Sequence, residues 1–193
     1  MQNFKRVSEG LNVTPVVEAI EAHPELWDEI TIRQDYEGSA HKDTACIFLR
    51  GPKSFTPDDY FFDLGSYDYP AVDLLADSLV PLLQPLLRDV LKVEELGRVL
   101  IVRLEPNGHI ESHVDEGEYA DHFTRFHLAL TGDDGSTLTC GSETVHFAPG
   151  ELWWFDHKVE HYADNKSEKP RIHIIIDAVT SMYPRLKGAR TDN

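Results

Sequence analysis

The sequence predicts a mainly β protein, in which an N-terminal helical layer packs against a β-barrel or jelly roll. From residue 98 onward, short strand-like runs alternate with turn signals, a pattern typical of β-sandwiches and barrels. The runs are RVLIVRL, RFHLAL, STLTC, TVHFA, ELWWF and PRIHIIIDAV. The turn signals PNG, GDDG and APGE punctuate them, since glycine, proline and asparagine favour chain reversal.

Before residue 95 the chain has a different character, because helix signals dominate there. Segment 71–93 carries leucines at three- and four-residue spacing, and Pro81 and Pro85 are expected to split or bend it. A strand, TACIFLR at 44–50, and an aromatic-rich loop at 51–70 precede that segment.

The length of 193 residues fits one domain, and a hydrophobic content of 41% can supply a core. We therefore expect a single domain over 1–193 with three subregions. These are a helical or mixed part at 1–95, the β core at 96–182 and a C-terminal tail at 183–193.

The charge of the chain limits its partners. Lys and Arg number 18 and Asp and Glu 34, which gives a net charge of −16. Such a surface repels phosphate backbones and anionic lipid, so we expect no nucleic-acid and no membrane partner. Cys46 and Cys140 are too few for a disulfide framework, and the N-terminus lacks the apolar core of a signal peptide. We expect a soluble, cytoplasmic protein.

A possible metal site lies in HIESHVD. His113 and Asp115 are two residues apart, so an extended chain places both side chains on one side. A further histidine would complete the two-histidine, one-carboxylate triad of non-haem Fe(II) oxygenases. His157 and His161 in FDHKVEH are both candidates. On the residues alone, a solvated acidic loop is an equally simple interpretation.

Two of the predicted strands each pair an apolar face with a face that carries an arginine and a histidine. Alternation places Arg125 and His127 on one face of RFHLAL, and Arg171 and His173 on one face of RIHIIID. An arginine that faces into a barrel needs an anionic partner, because a buried unpaired charge is unfavourable. The outward orientation remains open for each strand.

In combination these motifs resemble a known family. Residues 99–177 resemble the catalytic domain of the aspartyl/asparaginyl β-hydroxylases through PNGHIESHVD, RFHLAL, FDHKVEH and PRIHIIIDA. The resemblance implies a double-stranded β-helix, a cupin-like jelly roll, and an oxygenase dependent on Fe(II), 2-oxoglutarate and O2. The implied reaction hydroxylates an aspartyl, asparaginyl or related side chain of an amino acid, peptide or protein, with succinate and CO2 as coproducts.

The resemblance also implies site residues. His113 and His161 match the metal-binding histidines, and Arg171 matches the arginine that binds the distal carboxylate of 2-oxoglutarate. Arg125 and His127 match an Arg-x-His pair that contacts the same cosubstrate. The animal members have glycine at the position of Asp115, whereas a carboxylate ligand there is usual among other 2-oxoglutarate oxygenases. The expected metal ligands are therefore His113, Asp115 and His161.

Substrate recognition is less specific in the sequence. Arg50 and Arg103 are candidates to bind a substrate carboxylate, and a surface ion pair is an equally simple role for either. The segment EGEYADHFT is longer than in the family members and lies beside the expected site. Two other functions remain open: a cupin-type metal enzyme that does not use 2-oxoglutarate, either an isomerase or a dioxygenase, and a non-catalytic barrel that serves as a binding module.

Overall fold

The computed structural model describes residues 1–35 and 37–183. Of the predicted tail, 183–193, only Tyr183 lies within the described residues. The strands are β1 (Phe4–Ser8), β2 (Thr44–Gly51), β3 (Tyr67–Asp68), β4 (Val93–Leu104), β5 (His109–His113), β6 (Thr124–Thr131), β7 (Ser136–Cys140), β8 (Glu143–Val145), β9 (Leu152–Phe155), β10 (His161–Asn165) and β11 (Arg171–Thr180). The helices are α1 (Thr14–Glu21), α2 (Ile32–Asp35), α3 (Pro57–Phe61), α4 (Pro70–Leu74), α5 (Ala76–Pro85) and α6 (Glu118–His122), with a 3-10 turn at Pro24–Asp28 and a π-helical turn at Leu86–Val90.

Two antiparallel sheets form the body of the protein. The larger sheet has the strand order β1-β9-β6-β11-β4-β2-β3, and the smaller has the order β5-β10-β7-β8. Most neighbours in each sheet come from distant parts of the chain, as expected when two sheets of a jelly roll are wound together. The predicted mainly β, double-stranded β-helix fold is confirmed.

Helices cover the outer face of the larger sheet. Val16 and Ile20 of α1 and Leu79 of α5 belong to one buried cluster that includes Phe126, Leu128 and Ile174 of the sheet. This confirms the predicted helical layer. Because side chains alternate along a strand, the opposite face of β6 and β11 points between the sheets and carries Arg125, His127, Arg171 and His173.

The space between the sheets is lined mainly by apolar side chains. Ile110 and Leu138 of the smaller sheet share a buried cluster with Leu104, Ala129 and Phe155 of the larger one. A second cluster, Cys46, Phe48, Leu100, Val102 and Ile175, covers the inner face of β2, β4 and β11. Polar groups placed among these side chains are therefore shielded from water.

The larger sheet crosses the predicted boundary at residue 95. Strand β1 pairs with β9, and β2 pairs with β4 along most of its length. The first 95 residues thus contribute strands as well as helices, and we propose that the chain forms a single domain. No helix within 1–35 and 37–183 is long and apolar enough to cross a membrane.

The proline-containing helical segment differs in detail from the expectation. The break falls at Leu75, between α4 and α5, and therefore before both prolines. Pro81 lies inside α5, whereas Pro85 ends α5 and the π-helical turn follows. A proline lacks the N–H that continues the helical hydrogen-bond ladder, which is consistent with the change of geometry after Pro85.

Candidate active site

Three of the predicted site residues converge at one end of the space between the sheets. His113, Asp115 and His161 each offer a ligand atom, and these atoms all lie within 4.8 Å of one another. His113 Nε2 is 3.6 Å from Asp115 Oδ1. The rings of His113 and His161 have centroids 4.3 Å apart.

A β-bulge brings the two histidines together. His161 pairs with His113 and Ala163 pairs with Ile110, so three steps along β5 match two steps along β10. Strict alternation would place Ile110 and His113 on opposite faces of β5. The extra residue in the bulge turns His113 onto the inner face, beside His161, and bulges commonly re-aim a side chain in this way.

Backbone carbonyls fix the orientation of both imidazoles. The Nδ1 of His113 donates to the carbonyl of Glu111 at 2.8 Å, and the Nδ1 of His161 donates to the carbonyl of Val159 at 2.9 Å. A carbonyl only accepts, so the proton of each neutral ring is on Nδ1 and the lone pair is on Nε2. This is the tautomer that metal-binding histidines adopt when their other nitrogen is held by a hydrogen bond.

Asp115 belongs to an ion network with Arg125 and Asp177. Arg125 Nη1 donates to Asp115 Oδ2 at 2.6 Å, and its Nε and Nη2 donate to the two oxygens of Asp177 at 2.8 and 3.0 Å. Burial alone would raise the pKa of Asp115, but the charge of Arg125 and the smaller effects of the nearby histidines together outweigh it and hold this pKa well below its ordinary value. Asp115 is therefore ionised at neutral pH.

The protonation states of this cluster suit a divalent metal ion. Burial lowers the pKa of His161 to about 4, so its imidazole is neutral at pH 7. Neutral imidazoles and an ionised carboxylate are the forms that bind metal, and two histidines with one carboxylate are the donor set of non-haem Fe(II) sites. The residues present fit Fe(II).

A narrow cavity next to this cluster contains Arg171. The Nε and Nη1 atoms of Arg171 are buried and have no hydrogen-bond partner among the described residues, and the same holds for Nε2 of His127. Burial lowers the pKa of Arg171 to about 10, so it remains a cation at neutral pH. Apolar walls from Val102, Ile110, Leu138 and Phe155 surround these donors. Unpaired buried donors of this kind fit a carboxylate ligand such as that of 2-oxoglutarate.

A wider cleft of about 530 Å³ opens from the other side of the cluster. His113, Asp115 and Arg125 line it, together with side chains from α2, from the aromatic loop and from α6. Helix α6 lies in the segment EGEYADHFT, which is thus a wall of this cleft. The cleft is large enough for a small-molecule ligand or for a protruding side chain of a peptide.

Several residues near the cluster were not predicted from the sequence. Asp177 continues the face of Arg171 and His173 along β11, so strand alternation contained a signal for it. His41 packs edge-on against His113 with ring centroids 5.0 Å apart, and burial lowers the pKa of His41 well below its ordinary value. Arg33 and Arg98 line the wider cleft, and no periodic pattern in the sequence marks them.

The structure does not bring Arg50 and Arg103 to this site. Arg50 pairs with Asp68 at 2.5 Å and donates to the carbonyl of Ser66 at 2.7 Å. Arg103 pairs with Glu105 at 2.7 Å and lies over the ring of Trp27. Neither lines the narrow cavity or the wider cleft. Their roles in substrate binding stay predictions, to which this geometry adds no support.

The remaining candidate histidines support the site indirectly. His157 Nε2 donates to the carbonyl of Ala120, and the backbone carbonyl of His157 accepts from the N–H of Asp115 at 3.1 Å. His173 is buried, with its Nδ1 3.4 Å from Nδ1 of His127. His157 therefore fixes the backbone around Asp115, and His173 packs behind the narrow cavity.

Comparison with known proteins decides the family. The family model of the aspartyl/asparaginyl β-hydroxylases matches residues 65–180. The chain belongs to this family. Iron and 2-oxoglutarate are the cofactor and cosubstrate that membership implies, and the donor set of the site is consistent with iron.

Two further similarities agree with this membership. The chain is 29% identical over 170 residues to an L-proline cis-4-hydroxylase from Rhizobium meliloti, a match over 82% of this chain and 60% of the relative. The chain thus spans about 60% of the length of that relative. A 2OG-Fe(II) oxygenase family oxidoreductase from Burkholderia pseudomallei superposes with a TM-score of 0.52 and 13% identity, over 90% of this chain and 92% of that one, and supports the fold.

Proposed function

We propose that this protein is an Fe(II)- and 2-oxoglutarate-dependent dioxygenase that hydroxylates an aspartyl, asparaginyl or related side chain of an amino acid, peptide or protein. One observation carries the proposal: the His113, Asp115 and His161 cluster lies beside a cavity in which the buried Arg171 has donors without partners. Family membership supports the same chemistry. When bound, Fe(II) and 2-oxoglutarate together activate O2 for insertion of an oxygen atom into an unactivated C–H bond, with succinate and CO2 as coproducts.

Each residue of the site has a distinct task in this proposal. His113, Asp115 and His161 hold the metal and leave part of its coordination sphere open. Arg171 binds the distal carboxylate of 2-oxoglutarate, for which the planar guanidinium provides two parallel donors. His127 presents Nε2 to the same cavity, and Arg125 adds positive charge while it orients Asp115.

Exclusion of water is the contribution of the surrounding barrel. Val102, Ile110, Leu138 and Phe155 enclose the narrow cavity, so charged groups interact there more strongly than they do in water. The wider cleft leads to the same metal site and is the route for the substrate. The L-proline cis-4-hydroxylase relative makes free amino acids the first substrates to test.

The function is tested by anaerobic addition of Fe(II) and 2-oxoglutarate, which should produce a visible charge-transfer band, followed by O2 and a succinate assay. Protein that contains iron but gives neither the band nor succinate would refute the proposal. His113→Ala should abolish stoichiometric iron binding. His109→Ala is the matched control, because His109 lies on the same strand but pairs with Asp164 at 2.8 Å and should leave iron binding unchanged.

A further inference from the structure

The arginines of this acidic protein divide into two groups. Five of the eight within residues 1–35 and 37–183 form ion pairs with carboxylates: Arg6, Arg50, Arg88, Arg103 and Arg125. In the described part of the chain, the other three, Arg33, Arg98 and Arg171, have no carboxylate partner. All three, like the ion-paired Arg50, have a buried Nε atom without a hydrogen-bond partner among the described residues, and all three line the wider cleft or the narrow cavity.

The proposed cosubstrate accounts for Arg171 but not for Arg98, which lines only the wider cleft. Arg33 and Arg98 both line the wider cleft, on which His113 and Asp115 also lie. Glu116 lines it as well, but its side chain is exposed and, within residues 1–35 and 37–183, pairs with neither arginine. With 34 acidic residues in the chain, carboxylates are abundant, yet none in the ranges that the structure describes, 1–35 and 37–183, pairs with either of these two cations.

Arg98 is held in place by several contacts, while its Nε atom has no hydrogen-bond partner among the described residues. It is 5% exposed, its Nη2 donates to the carbonyl of Tyr60 at 2.7 Å, and its guanidinium carbon lies 3.7 Å from the ring centroid of Tyr119. The backbone N–H of Arg98 donates to the Tyr119 hydroxyl at 2.6 Å. Tyr119 belongs to α6, so the segment EGEYADHFT positions this cation.

Arg33 approaches the cleft from another element. It lies on α2, and its carbonyl accepts a hydrogen bond from the hydroxyl of Ser39, which fixes the chain around it. Arg33 also lines the narrow cavity, together with His41 and His113. The two arginines therefore lie on different elements around one opening.

We propose that Arg33 and Arg98 bind a carboxylate of the substrate, and that the substrate class is a carboxylate-bearing amino acid or acidic side chain. The inference rests on the proposed function and names the substrate class of that site. Arg98 is buried and Arg33 is half-buried, and a guanidinium shielded from water is unfavourable without an anionic partner. A ligand carboxylate supplies such a partner through charge-assisted hydrogen bonds. Placement of that carboxylate fixes which C–H bond of the substrate faces the metal.

The test measures binding to protein loaded with Mn(II) and saturated with 2-oxoglutarate, so that no turnover occurs and the narrow cavity is filled. The probes are used in pairs, and isothermal titration calorimetry measures the affinity of each one. The proteinogenic L-amino acids are compared with their carboxamides, and the capped peptide Ac-Gly-Asp-Gly-NH2 with Ac-Gly-Asn-Gly-NH2. The first comparison reports an α-carboxylate, and the second reports a side-chain carboxylate.

At least one carboxylate probe should bind more tightly than its amide, by about tenfold or more. Arg98→Met and Arg33→Met should each weaken the binding of that carboxylate probe by about tenfold. Arg88→Met is the matched control, because Arg88 is exposed and pairs with Asp89. Arg98→Lys retains the charge and tests the site if Arg98→Met does not fold; it should retain only part of the carboxylate preference.

Equal binding of carboxylate and amide, absence of binding by every carboxylate probe, or variants that bind as the wild type would each overturn the inference. Thermal destabilisation of Arg98→Met with unchanged probe affinity would do the same, since Arg98 would then only anchor the chain around Tyr60. Failure of the wild type to bind 2-oxoglutarate would instead refute the proposed function. Normal 2-oxoglutarate binding without a carboxylate preference refutes this inference alone.

Discussion

Arg125 orients Asp115 within the candidate metal site. Its Nη1 donates to Oδ2 of Asp115 at 2.6 Å, which leaves Oδ1 3.6 Å from Nε2 of His113. Asp177, which is 1% exposed, accepts from the other two nitrogens of the same guanidinium and fixes its plane. The predicted contact of Arg125 with the cosubstrate stays a prediction, and the structure adds a second task for this residue.

Arg125→Lys should weaken Mn(II) or Fe(II) binding by about 10- to 100-fold, the effect typical of groups that orient metal ligands. Lysine retains the positive charge near Asp177 but lacks the planar fork that contacts two carboxylates at once. Metal affinity is measured by isothermal titration calorimetry, and the fold is checked by circular dichroism. Arg88→Lys is the matched control on an exposed ion pair. Unchanged metal affinity in Arg125→Lys would show that Asp115 needs no support from the guanidinium.

Arg171→Met should weaken 2-oxoglutarate binding by about 100-fold or more, while metal stoichiometry is retained. Because Arg171 has no carboxylate partner within 1–35 and 37–183, its removal leaves no buried anion unpaired. The thermal midpoint of the protein without cosubstrate should therefore stay the same or rise. A titration of the charge-transfer band gives the affinity, and calorimetry gives the midpoint. A lower midpoint with normal 2-oxoglutarate binding would assign Arg171 a purely structural role.

Strand alternation predicted which residues share a face in β6 and β11, although it left open which of the two faces points inward. Phe126, Leu128 and Ile174 lie under the helices, and the opposite faces carry Arg125 and Arg171, as the two-residue period requires. Long apolar strands have one face that must be buried, so their pattern is informative. For this reason the sequence could predict most of the larger sheet.

The strands of the metal site were harder to predict. HIESH and HYADN are short and mainly polar, so neither shows a continuous apolar face, and both were missed as strands. The bulge in β5 shifts the register by one residue, and alternation alone would have turned His113 away from His161. Arg33 and Arg98 reach the cleft only through tertiary packing. The resemblance to the family supplied the expected ligands because it compares motifs and does not depend on strand periodicity.

Buried histidines make the stability of the protein sensitive to mild acid. Burial lowers the pKa of His173 well below its ordinary value of 6.5, and the charge of Arg171 lowers it further. Below pH 6.5 the unfolded chain binds a proton that the folded protein does not, so the free energy of unfolding falls as the pH falls. Each such histidine contributes a slope that is about half of 1.4 kcal/mol per pH unit at pH 6.5 and approaches about 1.4 kcal/mol per pH unit well below it.

His173→Gln should therefore remove about 1 kcal/mol of the change in stability between pH 6.5 and 5.5, because an unfolded histidine goes from half protonated to about nine-tenths protonated over this range. Glutamine retains a hydrogen-bonding group near His127 but does not titrate. Urea unfolding from pH 7.5 to 5.5, without added metal, measures the free energy at each pH. His23→Gln is the control, since His23 is partly exposed beside Glu25. Identical slopes for the wild type and His173→Gln would contradict a neutral, buried His173.

Lys158 ties α6 to the metal site, and its removal should loosen this wall of the cleft. Its Nζ donates to the carbonyl of Asp115 at 2.7 Å and to Oδ1 of Asp121 at 2.5 Å. Lys158→Met should increase hydrogen exchange of the amides in 116–123 by about three- to tenfold, because one or two hydrogen bonds that hold the segment closed are lost.

The Asp115 carboxylate remains held by Arg125 in this variant, so metal affinity should change by less than about threefold. Lys166→Met, which alters only an exposed lysine near Asp164, is the control for a lost surface charge. Mass spectrometry of exchange and metal titration together separate the two effects. Unchanged exchange in 116–123 would show that His157, through the carbonyl of Ala120, and the packing of Tyr119 are sufficient to hold the segment. Faster exchange with retained metal affinity would show that the wall next to Arg98 moves independently of the metal ligands.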